Sequence, residues 1–243
     1  MLVGAGIGGA VRLTREAEEA IRTASVVLHM TAIGAELERL CPDGLVVSLM
    51  PTYEAGDDPD EVYGRIADRL VAEAELAHGR GGTAAFVTYG HPLWLVTSAR
   101  SALRRCAERG LRASVVPGIS SIDTMLVDSP VPLDRGAQLY EAGQFVRQGL
   151  GVERRLPLVL FQFGDFGSGS LRPDHTATGR FEAILERLAG LYPAGHPVHI
   201  VLSPWREGMR PRVVSSTVAD LAGVLEAAHV GTTLVVAPLP AGD

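Results

Sequence analysis

Lysine and asparagine are absent from this chain of 243 residues, and all 22 basic side chains are arginines. Without lysine there is no ammonium to grip nucleotide phosphates in the Walker manner and no amine for Schiff-base chemistry. Without asparagine there is no N-glycosylation acceptor. The bias toward Arg, Ala and Gly is of the kind a GC-rich genome leaves. Cysteine is nearly absent too: Cys41 and Cys106 form no CxxC pair, which argues against a disulfide framework or a structural zinc and for two ordinary reduced thiols. The 7 histidines are scattered without ligand spacing, so no metal is expected. No apolar run approaches the roughly 20 residues that span a bilayer, and no basic segment leads into an apolar signal stretch at the N-terminus. A cytoplasmic protein with no membrane partner is expected. Positive charge is in deficit, 22 basic against 28 acidic residues for a net charge of −6. That balance argues against nucleic acid, which demands a basic face to displace counterions.

What is present is apolar and alternating. Residues of the hydrophobic types make up 47% of the chain, enough for a core burying roughly 70–75% of the unfolded surface. Strand-like runs at Met1–Val3, Val26–His29, Leu45–Leu49, Thr83–Thr88 and Ser114–Val116 alternate with helical stretches at Thr14–Thr23, from Asp58 onward and at Ser98–Arg109. The helix after Asp58 has a good start: Asp58 as N-cap, Pro59 at the first helical position and Glu61 three residues after the cap. Val62, Ile66, Leu70 and Ala74 then form one apolar stripe. The second half adds strands at Leu158–Phe163, Val198–Leu202 and Thr233–Ala237, with helices at Thr178–Leu191 and Val218–Ala228. A polar loop, expected to be mobile, lies between Gly164 and Gly179. No internal repeat is visible. The pattern predicts an α/β protein of two lobes, residues 1–115 and 116–243, with a largely parallel or mixed sheet.

Three turns carry the chemistry. Gly4, Gly6 and Gly9 have the spacing of a dinucleotide fingerprint, but the stretch where the ribose-binding acid belongs reads Val26-Val27-Leu28-His29-Met30, so NAD is not expected. What remains is a tight glycine turn that lets backbone approach a ligand or a partner loop. Tyr89-Gly90-His91-Pro92 sits where a strand ends, as does Pro117-Gly118-Ile119-Ser120-Ser121; Ser120 is also placed to cap the next helix.

In this order and spacing, the three turns resemble the class III SAM-dependent methyltransferases of the tetrapyrrole methylase fold. Leu13-Thr14 through Val26 matches that family's first helix, Gly90-His91-Pro92 its middle loop and Pro117-Gly118-Ile119-Ser120 its later turn. Within the fold the chain is similar to borosin-type peptide backbone α-N-methyltransferases, which build ribosomally synthesised, modified peptides (RiPPs). The Tyr-Gly-His-Pro string carries this, with Leu139-Tyr140-Glu141-Ala142, Phe161-Gln162-Phe163-Gly164, Tyr192-Pro193, His196-Pro197-Val198 and Thr232-Thr233-Leu234 before Pro238. The resemblance implies SAM (S-adenosyl-L-methionine) held in a cleft between the lobes, and a homodimer. The family's cofactor contacts fall on Tyr89, His91, Trp94 and Val96, with Gly90 and Pro92 shaping their loop, and on Ser120, Gln162, Ser203, Thr232 and Thr233.

The same family carries a tyrosine pair, matched here by Tyr53 and Tyr63 with Gly56, but its arginine falls on Pro59. The resemblance assigns the two tyrosines to acceptor chemistry; packing is the bland alternative. A guanidinium beside a phenol favours the phenolate, so either Arg65, Arg69 or Arg100 replaces the missing arginine in space, or the acceptor is less demanding than an amide. The sequence ends at Leu239-Pro240-Ala241-Gly242-Asp243 with no appended substrate tail, so a peptide acceptor is expected as a separate precursor. Two rivals stand beside this reading: a methyltransferase of the same fold acting on a tetrapyrrole or other small molecule, and a catalytically silent SAM- or peptide-binding protein.

Overall fold

The computed structural model describes residues 1–54, 58–168 and 177–240. Part of the polar loop after Gly164, Gly56 of the tyrosine motif and the last three residues therefore lie outside the described residues. The chain forms two units: Met1–Asp123 with Pro204–Met209, and Thr124–Ser203 with Arg210–Asp243. The first unit runs past the expected boundary and takes in a short segment from the second half.

The first unit contains strands β1 (Leu2–Gly4), β2 (Val26–Met30), β3 (Leu45–Ser48), β4 (Ala84–Thr88) and β5 (Val115–Val116). They form one sheet in the order β3-β2-β4-β1-β5, every neighbour parallel. The helices are α1 (Arg15–Arg22), α2 (Gly34–Leu40), α3 (Met50–Glu54), α4 (Pro59–Gly79) and α5 (Thr97–Glu108). Parallel strands covered by helices are buried along their length, and β2 and β4 are accordingly apolar except for the buried His29 and Thr88. Thr14 caps α1 by accepting from the Ala17 N–H at 3.1 Å. Ile21, Val27, Leu37 and Val87 are fully buried in a core between helices and sheet.

The start of α4 is the one the sequence predicts. The Asp58 carboxylate accepts from the N–H groups of Asp60 (2.9 Å) and Glu61 (3.3 Å), and Pro59 opens the helix. Val62, Ile66 and Leu70 are buried, joined by Ala67 and Val71. Asp58→Ala is expected to cost about 1 kcal/mol. Gly64, where a methyl would meet nothing within 4 Å, should behave oppositely: Gly64→Ala gains about 0.5–1 kcal/mol of helix propensity. Urea titrations of both variants check the pair.

The second unit begins with α6 (Ser121–Asp128), whose first residues belong to the first unit, and continues with β6 (Gln138–Glu141), α7 (Ala142–Arg147), β7 (Leu158–Phe161), α8 (Glu182–Leu191), β8 (Pro197–Leu202), β9 (Arg212–Thr217) and β10 (Thr232–Val236). The sheet order is β6-β7-β10-β8-β9; only β6 and β7 run parallel. Phe145, Leu158, Phe163, Phe181, Leu188 and Leu234 are fully buried in its core. The helix expected over Thr178–Leu191 is α-helical from Glu182 and corrected only in its first turn, and the helix expected from Val218 is corrected in type. Thr178–Phe181 is a 3₁₀ turn leading into α8, and the segment expected as a helix from Val218 is a 3₁₀ helix over Leu221–Ala227. Each contains a glycine (Gly179, Gly223), which weakens α-helix formation. The expected strand to Phe163 stops at Phe161, because Gln162 takes a left-handed backbone, φ 54°. No helix among the described residues is long and apolar enough to cross a membrane.

Candidate functional site

In an open α/β sheet, ligands bind at the carboxyl ends of the strands, where neighbouring connections leave in opposite directions. Here that point lies between β1 and β4: β1 connects to β2 on one side, and β4 connects to β5 on the other. The three turns singled out in the sequence follow β1, β4 and β5, so the fold collects them at one edge. They touch through bare backbone. A methyl at Gly4 would stand 2.4 Å from the Gly90 carbonyl oxygen and 2.5 Å from the Gly118 nitrogen, and a methyl at Gly118 would stand 2.4 Å from that same oxygen. Gly6 and Gly90 exchange hydrogen bonds, Gly6 N–H to Gly90 O at 3.4 Å and Gly90 N–H to Gly6 O at 3.1 Å. The glycine turn after β1 thus receives a partner loop, the second of its two sequence readings.

The loop after β4 is tied down at both ends. The Tyr89 hydroxyl accepts from the Ala32 N–H at 2.7 Å, and burial pushes its pKa up, opposed by that hydrogen bond. His91 accepts the Leu93 N–H on Nδ1 at 3.1 Å, an arrangement that leaves the proton on Nε2. Pro92 is buried, and Val96 is half-buried at the N-cap of α5. Between Trp94 and Val96, Leu95 has φ 58°. Leu95 and Gln162 are the only non-glycine residues at positive φ among the described residues. Such backbone costs energy and clusters at ligand sites, and each of these two sits in a segment the sequence assigns to the cofactor.

His91, Trp94, Gly118 and Ser120 line a cavity of about 330 Å³ together with Arg100 and Asp123, which sequence reasoning did not place there. Small-molecule sites start at about this size. Ser120 caps α6 as its bland reading expects: its Oγ accepts from the Ile122 N–H at 3.0 Å, while Asp123 accepts the Ser120 N–H at 2.6 Å. This reciprocal cap was legible as Ser-x-x-Asp. Arg100 donates to the Leu93 carbonyl at 2.7 Å, which holds its guanidinium at the cavity. A larger opening, about 600 Å³, lies at the opposite end of the sheet among Leu2, Ala84, Ser114, Leu70 and Cys106. It gathers none of the predicted residues and lies at the amino ends of the strands, so the smaller cavity is the candidate.

Tyr53 on α3 and Tyr63 on α4 are brought together, ring centroids 6.4 Å apart and tilted by 37°. Of the arginines considered as replacements for the one missing at Pro59, Arg65 pairs with Glu61 (3.7 Å) and Arg69 with Glu73 (2.7 Å) along α4. Arg100 carries no ion pair among the described residues and faces the cavity.

The remaining four predicted residues belong to the second unit and also share an edge. Gln162 follows β7, Thr232 and Thr233 begin β10 and Ser203 follows β8, three adjacent strands. Thr232 and Thr233 are buried, and the Thr232 hydroxyl donates to the His229 carbonyl at 2.7 Å. The Ser203 Oγ is buried with no hydrogen-bond partner among the described residues. A buried, unpaired hydroxyl is costly unless a ligand completes it. Ser203→Ala is therefore expected to leave stability within about 0.5 kcal/mol of wild type, or raise it, while weakening the cofactor about fivefold to tenfold. Thermal melts with and without SAM read both.

A parallel sheet with tight ligand loops at its carboxyl edge, followed by a mixed five-stranded sheet, is the architecture of the class III methyltransferases. The chain belongs to the tetrapyrrole (corrin/porphyrin) methylases, whose family model matches residues 1–221. Among solved structures it is similar to uroporphyrin-III-C-methyltransferase from Thermus thermophilus, with a TM-score of 0.66 and 25% identity over 97% of this chain and 90% of that one. It shares the fold of cobalt precorrin-4 methyltransferase (TM-score 0.62, 17% identity, covering 97% of this chain and 93% of that one). Among curated proteins it is 28% identical over 222 residues to the methyltransferase/ribosomally synthesized cyclic peptide omphalotin A precursor of Omphalotus olearius, covering 90% of this chain and 52% of that protein. It is 27% identical over 225 residues to a methyltransferase/type I borosin cyclic peptide precursor of Coprinopsis marcescibilis, covering 90% of this chain and 56% of that protein. The chain spans about half the length of these curated relatives. SAM is the cofactor this fold uses, and the residues of the first unit fit it: a cavity above bare glycine backbone with the strained Leu95 in its loop. The second unit, taken by itself, carries a strained Gln162 and a Ser203 hydroxyl with no partner among the described residues.

Proposed function

We propose that this protein methylates backbone amide nitrogens of a peptide supplied as a separate precursor, with SAM as donor. The observation that carries the reading is the tyrosine pair, Tyr53 and Tyr63 side by side on α3 and α4. The peptide-precursor relatives support it. SAM, when bound, supplies a methyl already activated by its sulfonium. The protein's task is to hold donor and acceptor in line and keep water out. The Tyr89–Val96 loop and Ser120, which share the cavity edge of the first unit, hold the donor. An amide nitrogen is a poor nucleophile, so its proton must be taken as the N–CH₃ bond forms. A tyrosine oxygen accepts that proton, directly or through water, and returns it to solvent.

The test is mass spectrometry of candidate precursor peptides incubated with the protein and SAM. Mass gains of one CH₂ per methyl, located on backbone nitrogens by fragmentation, are the expected result. Unmodified peptides beside a methylated tetrapyrrole would overturn it in favour of the second reading, a small-molecule acceptor, which the likeness to uroporphyrin-III-C-methyltransferase favours.

A further inference from the structure

Two exposed turns meet at the carboxyl edge of the first sheet. One is the glycine turn after β1, which leads into a 3₁₀ turn over Ala10–Arg12. The other is Pro204–Met209, the connection after β8 that packs with the first unit. A methyl at Gly8 would lie 3.5 Å from the Arg12 Cγ and 3.6 Å from the Pro204 carbonyl oxygen, and one at Gly9 would lie 3.4 Å from the Glu207 nitrogen. Gly8 (φ 114°) and Gly9 (φ 100°) take backbone that other residues rarely adopt. Gly8 therefore lies between the Arg12 side chain and the Pro204 carbonyl, and Val11 precedes Arg12 in the same turn.

What the two turns present is unusual for this chain. Val11 is 69% exposed and Trp205 44%, two of its few exposed large apolar side chains. The Arg206 guanidinium lies 5.1 Å from the Trp205 ring centroid. Neither Arg12 nor Arg206 has a carboxylate within 4.0 Å among the described residues. In a chain of net charge −6, two uncompensated guanidiniums beside an exposed tryptophan make a local positive, apolar surface. Tryptophan and arginine dominate binding hot spots.

We infer that Val11, Arg12, Trp205 and Arg206 form a docking surface for an acidic, apolar-bearing segment of the peptide substrate, outside the residues methylated. The inference rests on the peptide reading of the site and extends it to how the peptide is recognised. Charge complementarity selects carboxylates, and the exposed Trp205 and Val11 offer apolar surface to the segment's apolar side chains. Nucleic acid is the less fitting occupant, because a phosphate backbone engages a longer basic stripe and Glu207 interrupts this one.

The test uses the full chain and three labelled probes: a short peptide alternating glutamate with leucine and tyrosine, its twin with arginine for every glutamate, and an oligothymidylate. Fluorescence anisotropy should show the acidic peptide binding, weakening as salt rises. Binding should fall about tenfold or more in Arg12→Glu/Arg206→Glu and in Trp205→Ala, with SAM affinity unchanged. Equal binding of the arginine twin, undiminished binding by the charge-reversed variant, or tighter binding of the oligonucleotide would each overturn the inference. The two proposals fail separately. If candidate precursors are methylated with the same KM by wild type and Arg12→Glu/Arg206→Glu, the docking surface is wrong and the peptide reading stands. If the acidic peptide binds in the charge-dependent way and no peptide is methylated, the peptide reading fails and takes with it the claim that the bound segment belongs to a substrate, while the surface itself still binds acidic peptide.

Discussion

Gly118→Ala is expected to abolish SAM binding and to destabilise the first unit by more than about 3 kcal/mol, the upper range for overpacking. The added methyl would stand 2.4 Å from the Gly90 carbonyl oxygen and 2.7 Å from the Gly4 carbonyl carbon. Both obstacles are backbone, so no rotamer change relieves them. The only escape is to part β1, β4 and β5 at the edge where their turns meet. Gly90→Ala should be milder: its backbone is left-handed, φ 61°, but the nearest atom to a methyl is Ile7 Cδ1 at 3.4 Å, the end of a side chain. Strain of about 1–2 kcal/mol and a smaller loss of SAM affinity are expected. Gly64→Ala completes a graded series whose order follows the clash rather than the residue type. Chemical denaturation and SAM calorimetry on the three variants read it. Wild-type SAM affinity in folded Gly118→Ala would mean that the triple glycine contact does not shape the cofactor site.

Tyr63→Phe and Tyr53→Phe are expected to lower turnover, one of them by about 10²–10⁴-fold, the usual worth of a positioned general base, with SAM affinity little changed. Trp94→Ala should do the opposite and hurt SAM binding first, because Trp94 lines the cavity. The pH dependence sharpens the distinction. If the phenolate is the active form, the wild-type rate rises with pH as that form becomes populated. An arginine beside it stabilises the phenolate, so Pro59→Arg should move the rise to lower pH. Pro59 opens α4, so the same variant is expected to lose some stability. A flat rate–pH profile with full activity in both Phe variants would make the tyrosines packing residues.

Much of this architecture is legible in the sequence because its cues are local. Thr14 and Asp58 cap their helices with the side chains their positions suggest, and the Val62–Ile66–Leu70 stripe faces inward as its spacing requires. The three turns after β1, β4 and β5 were separately readable; that they interlock through Gly4, Gly90 and Gly118 depends on sheet order, which no local pattern encodes. β9 escaped notice because it is an edge strand, paired only with β8, and its Arg-Val-Val-Ser-Ser-Thr run lacks the apolar signature of a buried strand. α2 was missed as well, with Leu37 its one buried residue. The left-handed backbones of Leu95 and Gln162 carry no residue-type signal, since neither leucine nor glutamine favours that region. Arg100 reaches the cavity through a hydrogen bond to the Leu93 carbonyl, a tertiary contact that spacing does not announce.

The measurement that bears most directly on this account is a calorimetric titration of the folded wild-type chain with SAM and with its demethylated product. One site per chain for each ligand is the predicted result, with no competition from NAD, whose ribose-binding acid is missing from the Val26–Met30 strand. Absence of heat with both ligands, on protein shown to be folded by its thermal transition, would contradict it.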